Sequence, residues 1–206
     1  MKKIIFVLLA MLTTSVSVHA GDPTEKLIQK TVKTRLKELK KGGWEVFGTA
    51  LPLDAALSNY YQTYFKLGDN GCEQVGNGSE SENKTILHAK AVADAMRGYS
   101  TKASNNVSVE TVDALNSISG KDLEDFRSTY ESKVNKTINS QLKEYFSIIR
   151  PSQTIKGCYE MQTFFLVDER EAVKARLQAM KETFFEKKFN KEMLAPLETA
   201  VGLPVK

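Results

Sequence analysis

The chain has 206 residues, with 29 basic and 25 acidic side chains and a formal net charge of +4. The charges are nearly balanced and are mixed along the predicted helices, which argues against a nucleic-acid interface. The length suits one domain with a sizeable core, and no internal repeat or low-complexity segment divides the sequence.

Residues 1–20 have the pattern of an export signal. Lys2 and Lys3 precede an apolar run at residues 4–12, and Val18 and Ala20 are acceptable residues at the first and third positions before a cleavage site after Ala20. A membrane anchor is the alternative, but the run is too short to span the hydrocarbon core of a bilayer. We therefore expect a periplasmic or secreted protein with no transmembrane segment after cleavage.

A basic amphipathic helix is predicted at residues 22–41. Asp22, Pro23 and Glu25 form a helix start, apolar residues then recur at steps of three and four, and two glycines follow Lys41. The outer face of this helix is very basic. A solvated helix face is the first interpretation, and a contact with anionic lipid or polysaccharide is the alternative.

A short strand is predicted near residues 44–48, followed by an amphipathic helix at 53–66 that is rich in tyrosine. Aromatic stripes of this kind usually face the core. Because tyrosine rings also form sugar-stacking surfaces, we name Tyr60, Tyr61 and Tyr64 as candidate binding residues.

A second strand is predicted at residues 72–76, with the glycine-rich residues 76–79 as a plain connection. An alanine-rich helix at 82–99 should then cover the sheet, because small side chains allow close packing. His88 lies at the margin of its apolar face and is the only histidine after the signal segment. A packed or partly exposed role is favoured for it over a general base.

Residues 100–119 are rich in Ser, Thr and Asn, with apolar residues at only a loose helical spacing, and their structure is left undecided; a long helix is predicted at 120–145. A strand near 147–155 should pair as a hairpin with the clearest strand of the chain, at 157–167. A helix follows to about Lys188. The acidic residues that begin this helix are interpreted as a helix start rather than a catalytic cluster: Asp168, Glu169 and Glu171.

The apolar C-terminal segment at residues 189–206 follows a domain at 21–188. Pro196 makes continuation of one helix unfavourable. A short helix or an arm folded back over the core is expected, and docking on a partner is the alternative.

Cys72 and Cys158 are the only cysteines, and an oxidising compartment favours a disulfide between them. The alternative is a reactive thiol. The sequence has no His-Glu-x-x-His, Cys-x-x-Cys or Gly-x-Ser-x-Gly motif and no phosphate-binding loop. We therefore predict no catalytic residue, metal ligand or cofactor.

Three segments together resemble a known family: residues 36–53 (LKELKKGGWEVFGTALPL), the alanine-rich stretch at 89–96, and residues 159–168. The chain resembles exported bacterial proteins similar to the LPP-twenty lipoprotein family. This resemblance implies a small α+β envelope domain without an established enzymatic activity. The chain departs from the lipoprotein pattern because it lacks a lipid-bearing cysteine at the cleavage point.

The predicted fold class is α+β: a small, mainly antiparallel sheet covered on one side by the helices near 53–66 and 82–99, with an additional long helix. The expected function is that of an exported, non-catalytic cell-envelope protein that binds another protein or a surface polysaccharide. The alternative is a glycan hydrolase with two carboxylates facing each other across a cleft.

Overall fold

The computed structural model describes residues 23–111, 120–189, 191 and 194–205. The predicted signal segment, the capping Asp22 and residues 112–119 lie outside these residues. The described part forms the predicted α+β fold, with these elements in chain order: α1 (Pro23–Lys41), β1 (Glu45–Phe47), α2 (Leu53–Leu67), β2 (Gly71–Ser81), α3 (Lys84–Thr111), α4 (Gly120–Thr137), β3 (Lys143–Pro151), β4 (Tyr159–Asp168), α5 (Glu169–Lys187) and α6 (Leu194–Gly202).

The four strands found in the described residues form one antiparallel sheet in the order β1-β3-β4-β2. The predicted hairpin of β3 and β4 is confirmed, with Ser147 opposite Thr163. On the other side of β4, Gly76 is opposite the same Thr163. Because directly opposed residues share a face, these three residues mark the face that α3 covers.

Helices cover both faces of the sheet, so the prediction of helices on one side is wrong. Helices α1 and α2 pack on one face, against Phe146, Ile148, Phe164 and Leu166. Helix α3 packs on the other face, where Leu87 contacts the strand residues Ile149 and Met161. The cause lies in β4, where residues 163–167 are all buried, because a strand that is apolar on both faces needs two covers.

The glycines of β2 bring α3 close to the sheet. The prediction of a plain connection at residues 76–79 is wrong, because β2 continues through them to Ser81. A Cβ atom at Gly76 would lie 1.8 Å from the carbonyl oxygen of Ala91, and one at Gly78 would lie 2.2 Å from that of Leu87. Glycine at these positions therefore allows backbone to pack directly on backbone.

Side chains of α3 also bond the free edge of β2. The backbone N–H of Asn77 donates to Asp94 Oδ2 at 2.9 Å, and Lys90 Nζ donates to the carbonyl oxygen of Ser79 at 3.0 Å. Farther along the edge, Lys102 Nζ donates to the carbonyl oxygen of Glu73 at 3.4 Å. These bonds occupy backbone groups through which an edge strand could pair with another chain.

The boundary between α4 and β3 differs from the prediction of one helix to Tyr145. Helix α4 ends at Thr137, a 3₁₀ turn spans Ile138–Gln141, and β3 begins at Lys143. Ile138 is fully buried in the turn, so it keeps the helical spacing of apolar residues after the α-helix has ended. The spacing alone therefore overstated the length of the helix.

The C-terminal segment packs into the core instead of projecting from it. Leu197, Val201 and Val205 are buried among side chains of α3, α4 and α5. Pro196 lies within the first turn of the short helix α6, which agrees with a new helix after Lys188. These three apolar side chains are therefore not exposed to a partner.

A buried polar cluster anchors this segment. Arg176 of α5, which is 1% exposed, forms an ion pair with Glu169 and donates from Nη2 to the carbonyl oxygen of Leu203 at 2.8 Å. Glu169 also accepts the backbone N–H of Val205 at 3.0 Å and the hydroxyl of Tyr99 at 2.9 Å. Burial acts to lower the pKa of Arg176, but Tyr99 and Glu169 outweigh it and hold that pKa above its usual value.

Candidate functional site

The three candidate tyrosines belong largely to the core between α2 and the sheet. Tyr60 is 0% exposed, and its hydroxyl donates to the carbonyl oxygen of Phe165 at 3.3 Å. Tyr61 is also buried and Tyr64 is half-buried. Burial, followed by the nearby carboxylate of Glu73, raises the pKa of all three phenols. Tyr60 and Tyr61 are therefore inaccessible to a ligand.

The predicted disulfide is wrong, because the sheet places the two cysteines at opposite ends of β4. Cys72 is opposite Val167, whereas Cys158 immediately precedes Tyr159 at the start of that strand. Nine residues of extended chain separate these points by about 30 Å, and a disulfide needs Cα atoms within about 7 Å. Both thiols are free.

The thiols should differ strongly in reactivity. Burial raises the pKa of Cys72 to about 11, so only about one molecule in a thousand carries the reactive thiolate there at pH 8. We expect an Ellman-type reagent to titrate Cys158 in the native protein and Cys72 only on unfolding. Cys158→Ser should abolish the rapid reaction of the native protein with the reagent, and Cys72→Ala should retain that reaction. A native mass two hydrogens below that of the reduced protein would contradict the assignment of free thiols.

His88 connects α3 to the sheet through a chain of polar contacts. Its Nε2 lies 3.0 Å from Glu144 Oε2, and Ser147 Oγ donates to Glu144 Oε1 at 3.0 Å. Ser147 Oγ also shares a hydrogen bond of 2.9 Å with Thr163 Oγ1. Since the Ser147 hydroxyl is buried and bonded to the carboxylate instead of the imidazole, no Ser-His nucleophile pair is formed here.

The acidic residues at the start of α5 have structural roles. Asp168 caps the helix by accepting the backbone N–H of Arg170 at 3.1 Å, and the Arg170 guanidinium lowers the pKa of that carboxyl. Glu169 belongs to the buried cluster described above. Glu171 lies in the first turn of the same helix, where a carboxylate offsets the helix dipole.

A polar groove of about 330 Å³ between α3 and α4 contains two further carboxylates, Glu124 and Glu131. Both belong to α4 and lie two turns apart on the same wall. Each has a partner: Arg127 Nη1 lies 2.7 Å from Glu124, and Thr101 Oγ1 donates to Glu131 at 2.8 Å. They do not face each other across the groove as the hydrolase hypothesis requires.

Metal-binding and membrane-spanning features are both absent from the described residues. No group of three or more His, Cys, Asp and Glu side chains in that part of the chain could hold a metal ion. None of the helices found there has the length and apolar content needed to cross a membrane.

Six exposed lysines form a row along α1, which we call the lysine stripe. At about 100° per residue, all six lie within a sector of about 100° of the helix surface, over a length of about 22 Å. No ion pair joins any of them to another described residue. The stripe consists of Lys26, Lys30, Lys33, Lys37, Lys40 and Lys41.

The rest of α1 explains why the lysines face outward. Val32 and Leu39 are buried against α2 and the sheet, on the face opposite the stripe. Arg35 also lies away from the stripe, over the ring of Phe164 at 5.9 Å, and pairs with Glu38 at 3.2 Å. The apolar contacts of α1 thus fix its rotation, and its lysines form a surface of one sign.

An open groove of about 520 Å³ runs beside the stripe, between α1 and α2. Its apolar part comes from Ile28, Val32 and Leu36 of α1. Polar side chains from both helices form the remainder, and the stripe residue Lys33 is among them: Glu25, Gln29, Lys33, Ser58 and Gln62. The sequence indicated the basic face of α1, but this groove also needs residues about thirty positions farther along the chain.

Comparisons of the chain with protein-family models, with curated proteins and with solved structures return no match.

Proposed function

We propose that this is an exported, non-catalytic cell-envelope protein that binds an acidic surface polymer through the lysine stripe. The observation that carries the proposal is the grouping of six exposed lysines on one sector of one helix, without ion-pair partners among the described residues. The pattern of residues 1–20 supports export to the periplasm or the medium. The resemblance to the LPP-twenty lipoprotein family supports an envelope protein without enzymatic activity.

The spacing of the stripe suits a linear polyanion. Five of the lysines follow one another at alternating steps of four and three residues, which correspond to about 6 and 4.5 Å along the helix. One exposed ion pair contributes only about 0–1 kcal/mol. A polymer with repeated charges can contact several lysines at once, so that weak contacts combine into useful affinity. Binding of this kind should weaken as salt rises.

A polymer fits α1 better than a membrane surface does. Interfacial helices insert their apolar face among the lipid chains. In α1 most of this face is occupied, because Val32 and Leu39 pack into the core and Ile28 and Leu36 are half-buried beside them. Attraction to lipid would therefore depend mainly on charge, whereas a polymer can lie along the whole row of lysines.

Charge reversal on the stripe tests the proposal. In the triple variant Lys26→Glu, Lys30→Glu and Lys37→Glu, we expect the affinity for polygalacturonate at low salt to fall at least about tenfold, because the three new carboxylates cancel the charge of the three remaining stripe lysines. Titration calorimetry of the full chain without its signal segment, with increasing NaCl, measures this effect.

The matched control applies the same change of net charge to exposed lysines elsewhere: Lys66→Glu, Lys156→Glu and Lys174→Glu. This control should retain most of the affinity. Equal losses in the two variants would show that net charge, and not the stripe, determines binding. Tighter binding to phosphatidylglycerol vesicles than to the polymer would favour a membrane contact and overturn the proposal.

A further inference from the structure

We infer that the acidic polymer is a glycan, and that its sugar units lie in the groove between α1 and α2 while its charged groups contact the lysine stripe. This inference rests on the proposed function and adds the chemical class of the ligand. The inference depends on the groove, whereas the proposed function depends only on the lysine stripe.

The groove combines two kinds of surface that sugars need. Its apolar part can contact the C–H faces of pyranose rings through Ile28 and Leu36, which are only half-buried. Along α1 the lining extends from Glu25 to Leu36, a distance of about 16 Å, which gives room for several units of an extended chain.

The polar part is dominated by neutral groups that both donate and accept hydrogen bonds. Gln62 is exposed and has no hydrogen-bond partner among the described side chains, so both amide N–H groups and the amide oxygen can bind hydroxyls. Ser58 donates to the carbonyl oxygen of Asp54 at 2.8 Å, which leaves its own oxygen as an acceptor. Gln29 has only a long contact, 3.4 Å, to Glu25. Amide and hydroxyl groups of this kind match the hydroxyls of sugars.

Lys33 connects the two surfaces, because it belongs to the stripe and lines the groove. A carboxylate bound at Lys33 would place the ring that bears it over the groove. Glu25, the one acidic residue of the lining, lies near the N-terminal end of α1. The carboxylates of the glycan are therefore expected on the side of the groove that borders the lysine stripe, and its hydroxyls are expected beside Gln29 and Gln62.

The test compares polygalacturonate, an acidic glycan, with inorganic polyphosphate, a linear polyanion that lacks hydroxyl-bearing rings. We expect the full chain without its signal segment to bind the glycan more tightly at equal charge concentration. The double variant Gln29→Ala and Gln62→Ala should lose about tenfold in affinity for the glycan and little for polyphosphate. Gln153→Ala with Gln178→Ala, two exposed glutamines outside the groove, is the matched control.

The outcomes separate the two proposals. If the protein binds both polymers equally, or if the groove variant weakens both alike, the glycan inference is overturned and the polyanion function stands. If neither polymer binds, or if reversal of the stripe charges has no effect on either, the proposed function fails together with the inference. Retained preference for the glycan in the groove variant would also overturn the placement of sugars in the groove.

Discussion

Replacement of Gly76 by alanine is expected to lower the free energy of unfolding by about 3 kcal/mol or more. The new Cβ would lie 1.8 Å from the Ala91 carbonyl oxygen and 3.0 Å from the Ala95 Cβ. The obstructing atom belongs to helix backbone, so no side-chain rotation can remove the overlap. Either α3 or β2 must move by more than about 1 Å, and such a shift separates packed atoms along the whole interface.

This loss is large because small domains are stable by only about 5–15 kcal/mol. Urea unfolding monitored by circular dichroism should show a lower midpoint for Gly76→Ala with a similar slope. Gly202→Ala is the matched control, since a Cβ added in this C-terminal turn of α6 would meet no heavy atom within 4 Å. An equal shift in both variants would contradict the assigned close contact.

Replacement of Arg176 by methionine is expected to cost about 3–5 kcal/mol. Methionine keeps much of the side-chain length but removes the charge, which leaves Glu169 buried without its cationic partner. The carbonyl oxygens of Val201 and Leu203 lose their guanidinium donors as well. Because these groups hold the C-terminal segment, limited proteolysis should remove α6 more readily from the variant than from the parent protein.

An exposed pair between the same two helices provides the control. Lys181 Nζ lies 3.0 Å from Glu198 Oε1, with side chains that are 52% and 39% exposed. Lys181→Met should change stability by no more than about 1 kcal/mol, because solvent screens this pair. The double variant Glu169→Leu and Arg176→Met should recover part of the loss, since it leaves no unpaired buried charge. Equal effects of Arg176→Met and Lys181→Met would refute the anchoring role.

The sequence predicted the elements whose pattern depends on nearby residues. The helices α1, α2 and α5 follow their three- and four-residue apolar spacing, because this pattern repeats within a few residues, and β4 closely matches the strand predicted at residues 157–167. The basic face of α1 was visible for the same reason. The start of α5 at Asp168 also agreed with the prediction, since a helix cap is a local interaction.

The proposed binding surface was only partly visible in the sequence. The same helical period that placed the apolar residues of α1 inside also places six lysines outside. The stripe could therefore have been found by assigning each residue of α1 its angular position around the helix axis. The groove could not, because Ser58 and Gln62 reach it only when α2 packs against α1. The tyrosines of α2 were ambiguous, since an aromatic stripe has the same spacing whether it meets a core or a ligand.

The sequence by itself determined the α+β class, the strong helices, the central strand and the basic outer face of α1, because these depend on local periodicity and composition. Only the tertiary structure decided that both faces of the sheet are covered, that Gly76 and Gly78 lie beneath α3, and that Cys72 and Cys158 are far apart. It likewise decided the burial of Arg176 with Glu169. Each of these features depends on strand register or on helix packing between segments that are distant in the sequence. The local sequence of one segment is compatible with several such arrangements, so it does not select one of them.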